Sequence, residues 1–170
     1  SDIENLGAEF YGRINHGKNS EYYIISDSID TKYNNFLGHF LHGLKLKSYE
    51  FNKYKSKKET RLILVNVIGK KNKPSEKNQL KFKALEAGTF YARDLVSEPG
   101  NVLHPDEYAN RLNSLRKDGL KINIYDDKKL KKIGMHALLG VGQGSVRGSY
   151  LVTMEWNGAK NNSKPLAFVG

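Results

Sequence analysis

Residues 85–109 read LEAGTFYARDLVSEPGNVLHPDEYA, and this stretch decides how the second half of the chain is organised. Leading into it from Gln79, the residues Leu80, Ala84, Leu85, Ala87, Gly88, Tyr91, Ala92 and Leu95 fall at helical spacing and make a small-residue face that permits close packing. Pro99 and Gly100 end that helix, because neither continues one comfortably. A second helix is predicted to start at Pro105. Proline suits the first helical position, and Asp106 and Glu107 complement the positive end of the dipole. Leu112 and Leu115 give this helix an inward face.

Working outward, LKINIY at 120–125 alternates Leu120, Ile122 and Ile124 with polar neighbours, the period-two sign of a strand with one covered face. A short helix is expected over 126–133, with Gly134 as a left-handed cap. Two further strands are expected at about 150–156 and 166–169, on either side of a polar loop over 157–164. Upstream, Phe36, Leu37, Phe40, Leu41, Leu44 and Tyr49 step by threes and fours, which marks an amphipathic helix. RLILVNVI at 61–68 reads as a buried strand, and the Lys-rich stretch 69–78 with Pro74 as a loop. Residues 8–14 and 21–25 are expected as strands, with turn chemistry between them. The alternation of elements predicts an α/β fold.

At 170 residues the chain is long enough for one domain, or for one domain and part of another. No run approaches the roughly 18 apolar residues of a membrane span, and no charged-then-apolar signal opens the sequence, so a soluble chain with no membrane partner is expected. With no cysteine, disulfides and thiolate metal sites are excluded, which fits a reducing cytosol. The single Asn-x-Ser match, at 161–163, reads as chance.

The formal charge of +10 is concentrated in one segment. Residues 43–83 hold thirteen Lys or Arg against the three acids Glu50, Glu59 and Glu76, while the rest of the chain holds fifteen of each sign and cancels. Such a block could track phosphates, with Tyr49, Phe51, Tyr54 and Phe82 as stacking partners, so a nucleic-acid-binding module is the alternative reading. A solvated lysine-rich surface is the favoured one. Arg61 is the only arginine in the block, and the guanidinium forks that phosphate and base recognition favour are nearly absent.

Few residues suggest catalysis. His39 and His42 form an H-x-x-H on a helix, with no third ligand in evidence. Gly140, Gly142, Gly144 and Gly148 fit neither phosphate-loop spacing, and a strand follows them where a helix should; tight backbone packing between domains is expected instead. Ser145 and Ser149 lack His and Asp partners in sequence context. The eighteen acids are scattered, and the adjacent pairs Asp106-Glu107 and Asp126-Asp127 read as helix-start charge.

Three blocks together resemble the leucyl aminopeptidase, or cytosol aminopeptidase, family of two-metal exopeptidases. They are ARDLVSEPGNVLHPDEYANRL at 92–112, LKKIGMHALLGVGQGS at 130–145, and PLAFVG at 165–170. Arg93, Asp94, Leu95, Pro99, Asn101 and Pro105 are in register with the family, and Ser48, Tyr49, Phe51, Tyr54 and Lys55 match the ending of a helix in its first domain. The resemblance covers roughly residues 41–170 and is weak before that. It implies an α/β chain comprising the end of a macro-like N-terminal domain, 1–78, then an interdomain helix and the first part of the catalytic domain, 79–170. It also implies a cytoplasmic parent enzyme that releases N-terminal amino acids from peptide substrates, uses two divalent cations (Zn, Mn or Mg) and assembles as a homo-hexamer. In the family the strand ending in Val-Gly runs into a lysine that begins the metal site, and that lysine, the Asp-Ser-Gly-Gly turn and the Asp-Ala-Glu-Gly-Arg block have no counterpart here. A fragment ending just before the metal motifs is therefore expected. No catalytic, cofactor-binding or metal residue is assigned to it, and by itself it is expected to be inactive, with a scaffold or oligomer-contact role.

Overall fold

The computed structural model describes residues 1–30, 32–57, 61–158 and 164–170, and contacts group the chain into two compact units, Ser1–Ser97 and Glu98–Gly170. Both units mix helices and strands, so the chain is α/β as its pattern predicts.

In the first unit, β1 (Glu21–Ile25) and β2 (Leu64–Ile68) pair in parallel, with Glu21 opposite Leu64 and Ile25 opposite Ile68. Parallel strands need a crossover connection, which carries α2 (Phe36–Lys47). Helices α1 (Asp2–Asn15) and α3 (Glu76–Ser97) both pack on α2. The α1–α2 crossing brings backbone onto backbone: a Cβ at Gly7 would stand 1.9 Å from the Phe40 carbonyl oxygen, and one at Gly43 1.9 Å from the Glu4 carbonyl oxygen. Glycine is a steric requirement at both. Beside the crossing, Phe10 meets Phe40 at 5.5 Å and Tyr22 of β1 at 6.3 Å between ring centres, while Ile14, Leu37 and Phe82 are buried.

Residues 8–14, expected as a strand, belong to α1. Their aromatic and β-branched content suggests a strand, but Ile3, Gly7, Phe10 and Ile14 form a helical stripe, and a capping box of Ser1 and Glu4 starts the helix, with the Glu4 N–H donating to Ser1 Oγ at 3.4 Å. The loop expected over 69–78 ends early. Ser75 caps α3, its Oγ accepting from the Asn78 N–H at 3.3 Å, so the helix begins at Glu76. Between β2 and α3, Gly69 at φ 120° opens a turn in which Asp27 Oδ1 accepts the N–H groups of Lys70 at 2.8 Å and Lys71 at 2.6 Å.

In the second unit, β3 (Lys121–Tyr125) and β4 (Leu151–Glu155) pair antiparallel, with Lys121 opposite Glu155 and Tyr125 opposite Leu151. The period-two reading holds: Ile122 is fully buried between exposed Lys121 and Asn123. Helix α4 (Pro105–Ser114) packs Ala109 and Leu112 inward, and α5 (Asp127–Lys132) adds fully buried Leu130. Burying Ile122 and Leu130 stabilises the unit by about 1.5–3 kcal/mol each. Asp126 caps α5 by accepting from the Lys129 N–H at 3.0 Å, and Gly134 takes the expected left-handed conformation at φ 81°. Helix α6 (His136–Gly142) ends within the glycine-bearing stretch and had no sequence assignment.

Residues 166–169 are not a strand. Strand geometry is held by the ladder of a neighbour, and among the described residues none pairs with this run, leaving Leu166, Phe168 and Val169 exposed. Most of the polar loop 157–164, including the Asn-x-Ser match, lies outside the described residues.

Candidate functional site

The two histidines of the H-x-x-H are neighbours on α2, yet they face different carboxylates. His39 Nδ1 lies 2.8 Å from Glu4 Oε1 on α1, and His42 Nδ1 lies 3.0 Å from Glu86 Oε1 on α3. Phe82 of α3 sits against both rings, edge-on to His39 at 5.1 Å and stacked on His42 at 4.7 Å. The result is a pair of interhelical clasps around one buried phenyl ring. The hydrogen bond from His39, followed by that of the chain amino group, holds the Glu4 carboxyl below its ordinary value. Among the described residues, no three His, Cys, Asp or Glu side chains group so as to hold a metal ion.

The other candidates resolve into local structure. Of the four glycines of the GVGQGSVRGS stretch, Gly142 and Gly148 are close-packed within their own unit: a Cβ would stand 2.1 Å from Ser149 Oγ and 2.6 Å from Asp127 Oδ2, respectively. Gly140 and Gly144 have nothing within 4 Å of a Cβ. Ser145 Oγ accepts from the Arg147 N–H at 3.0 Å, a turn contact, and the Ser149 N–H donates to Asp127 Oδ1 at 2.8 Å, which ties this stretch to the start of α5. Asp106 and Glu107 open α4 and meet Arg147 and Arg111.

The basic segment is spread over the end of α2, β2 and the start of α3. All four of its stacking candidates make contacts within the chain. Phe82 is buried under the histidines, and the Tyr49 hydroxyl donates to Asp94 Oδ1 at 2.7 Å while Arg93 lies 5.4 Å over its ring. Phe51 and Tyr54 pair with each other at 5.9 Å.

Sequence reasoning missed the second unit's charge centre. The Glu98 side chain is 2% exposed and accepts from Arg111 Nη1 at 2.8 Å, while Arg111 Nε donates to Glu107 Oε1 at 2.8 Å. The two carboxylates, Glu107 foremost, hold the guanidinium charged far above its ordinary range. This bridge ties the turn at Pro99 and Gly100 to the first turns of α4. The i, i+4 spacing of Glu107 and Arg111 was a visible signal; the burial of Glu98 was not.

Residues 90–170 match the catalytic domain of the cytosol aminopeptidase family. A probable cytosol aminopeptidase of Agrobacterium fabrum is 42% identical over 137 residues, which cover 77% of this chain and 28% of that protein. This chain belongs to the cytosol aminopeptidase family. The fold agrees: a tomato leucine aminopeptidase mutant matches with a TM-score of 0.77 over 89% of this chain and 32% of its own, at 20% identity. The bottromycin maturation enzyme BotP, solved in complex with Mn, matches with a TM-score of 0.73 over 89% of this chain and 33% of its own, at 22% identity. The chain thus spans about a third or less of the length of these proteins.

Several residues that carry the cytosol aminopeptidase resemblance have structural work in common. Arg93 Nη1 donates to the Leu46 carbonyl at 2.6 Å, at the C-terminal end of α2 where the helix dipole favours a cation. Ser48 caps the same end through its hydroxyl, which donates to the Lys45 carbonyl at 2.8 Å, and Tyr49 reaches Asp94 beside Arg93. They brace α2 against α3.

Proposed function

We propose that this chain is the scaffold portion of a cytoplasmic two-metal exopeptidase that releases N-terminal residues, leucine among the preferred ones, from peptides. Residues 1–78 would close a macro-like N-terminal domain, and residues 79–170 would form the interdomain helix and the opening of the catalytic domain. The observation that carries this reading is the catalytic-domain match over residues 90–170 in a chain that shares the aminopeptidase fold along most of its length.

Two-metal hydrolysis draws on several carboxylates converging on a pair of hard cations. The described residues do not fit that demand, since they contain no group of three candidate ligands. No step of the reaction is therefore assigned to this chain, and the two cations (Zn, Mn or Mg) would be held by residues of the parent beyond those described. The part this chain plays is mechanical: the Arg93 and Tyr49–Asp94 braces and the Arg111 bridge hold the helices that lead into the catalytic domain, and its surfaces would contribute to a homo-hexamer. The test is hydrolysis of leucine amide by the full-length protein. Cleavage that a chelator abolishes and Mn or Zn restores is expected; a soluble, metal-loaded protein without it would contradict the reading.

A further inference from the structure

A cleft of about 370 Å³ lies between α2 and the first half of α3, at the low end of the roughly 300–1,000 Å³ range of small-molecule sites. From α2 it is walled by Leu41 and His42. From α3 it is walled by Glu76, Leu80, Lys83 and Glu86, which follow one another at steps of four and three residues and so form one stripe of that helix. Three properties of this wall belong together. Lys83 lies about 4.5 Å along the helix axis from Glu86 and about 10.5 Å from Glu76, so a cation is flanked by carboxylates on the same face. Leu80 is 61% exposed beside them and offers, with Leu41, an apolar surface. His42 is buried, its ring stacked on Phe82 and its Nδ1 held by Glu86, which leaves Nε2 as the ring nitrogen for a ligand.

We infer that this cleft binds a free α-amino acid with an apolar side chain. Such a molecule carries an ammonium and a carboxylate less than one helical turn apart, matching the Lys83 and Glu86 spacing. Its carboxylate lies toward Lys83, its ammonium donates toward Glu86 and His42 Nε2, and its side chain lies against Leu41 and Leu80. The inference rests on the aminopeptidase reading for the source of the ligand: peptide cleavage that releases leucine-like amino acids makes this a product-sensing site.

Calorimetric titration of L-leucine into the chain tests it, beside isopentylamine, which lacks the carboxylate, and isocaproate, which lacks the ammonium. A dissociation constant on the order of 1 mM is expected for leucine, with binding weakened about tenfold or more for either split probe. Lys83→Glu and Leu80→Asp, both at exposed positions, should each abolish it with the helical circular-dichroism signal unchanged. Three results would overturn the inference: no leucine binding at tens of millimolar, isocaproate binding as tightly as leucine, or binding indifferent to Lys83→Glu. A capped apolar peptide binding in place of leucine would also overturn it, by showing a protein-docking groove. The aminopeptidase reading fails separately. A full-length protein inert on leucine amide that still binds leucine loses only that reading, whereas an active enzyme that does not bind leucine loses only this site.

Discussion

Gly7 and Gly43 stand where two helix backbones touch, and Gly88 stands in the middle of α3 with nothing within 4 Å of a Cβ. The same substitution should therefore have opposite signs. Gly7→Ala or Gly43→Ala drives a methyl into a carbonyl oxygen that cannot swing aside and should cost about 1–3 kcal/mol or more, whereas Gly88→Ala should add about 0.5–1 kcal/mol through helix propensity. Urea unfolding followed by circular dichroism reads both. At Arg111 the guanidinium serves two carboxylates at once, so Arg111→Ala should cost about 2–3 kcal/mol, and Arg111→Lys should recover only part of it because one ammonium cannot reproduce the fork. Equal stability of the Lys variant and the wild type would mean that the bridge to Glu98 does not matter. At this scale the sequence was partly readable. The cap at Gly134 was visible, but the small-residue face read on α3 is not its packed face: Leu80, Ala84, Leu85, Ala87, Gly88 and Ala92 are exposed, and Phe82, Glu86 and Arg93 make the contacts with α2. The need for glycine at Gly7 and Gly43 depends on a helix crossing that no local pattern announces.

Helices α1 and α2 are joined by a clasp whose strength depends on pH. Glu4 has its carboxyl lowered by His39, so its contribution to stability is present above its unfolded value and is lost as pH falls through the lower folded value. Acid should accordingly loosen α1 from α2, seen as lost helical signal below about pH 4, and Glu4→Gln should remove that part of the acid transition. An acid limb unchanged by Glu4→Gln would show that the clasp contributes nothing. Elements with a clear period were readable as such: α2 and β3 fall where apolar spacing put them, and α4 starts at Pro105 as expected. The β-rich run gave β2 its place but not its burial, since all five of its residues are half-buried or exposed. Helix α1 was not, because residues 8–14 are rich in aromatic and β-branched side chains; the Ser1 and Glu4 capping box was the signal that could have found it. Residues 166–169 show the converse, an apolar run whose strand character depends on a neighbour rather than on itself.

For the whole molecule, the family was readable because the blocks at 92–112 and 130–145 are specific in spacing, not because they contain chemistry. Residues in those blocks open α4, close turns at Gly134 and Ser145, and hold α4 through Arg111, which is what a scaffold requires. The candidate leucine cleft was not readable, since Leu41 and His42 meet Leu80 and Lys83 only after α2 and α3 pack. The central claim is that these residues supply structure and the remaining length of the parent supplies the chemistry. Leucine-amide hydrolysis by residues 1–170, measured beside the full-length protein in the same Mn-containing buffer, tests it most directly. The account predicts chelator-sensitive turnover by the full-length protein and none by the 170-residue chain; turnover by the 170-residue chain itself would contradict it.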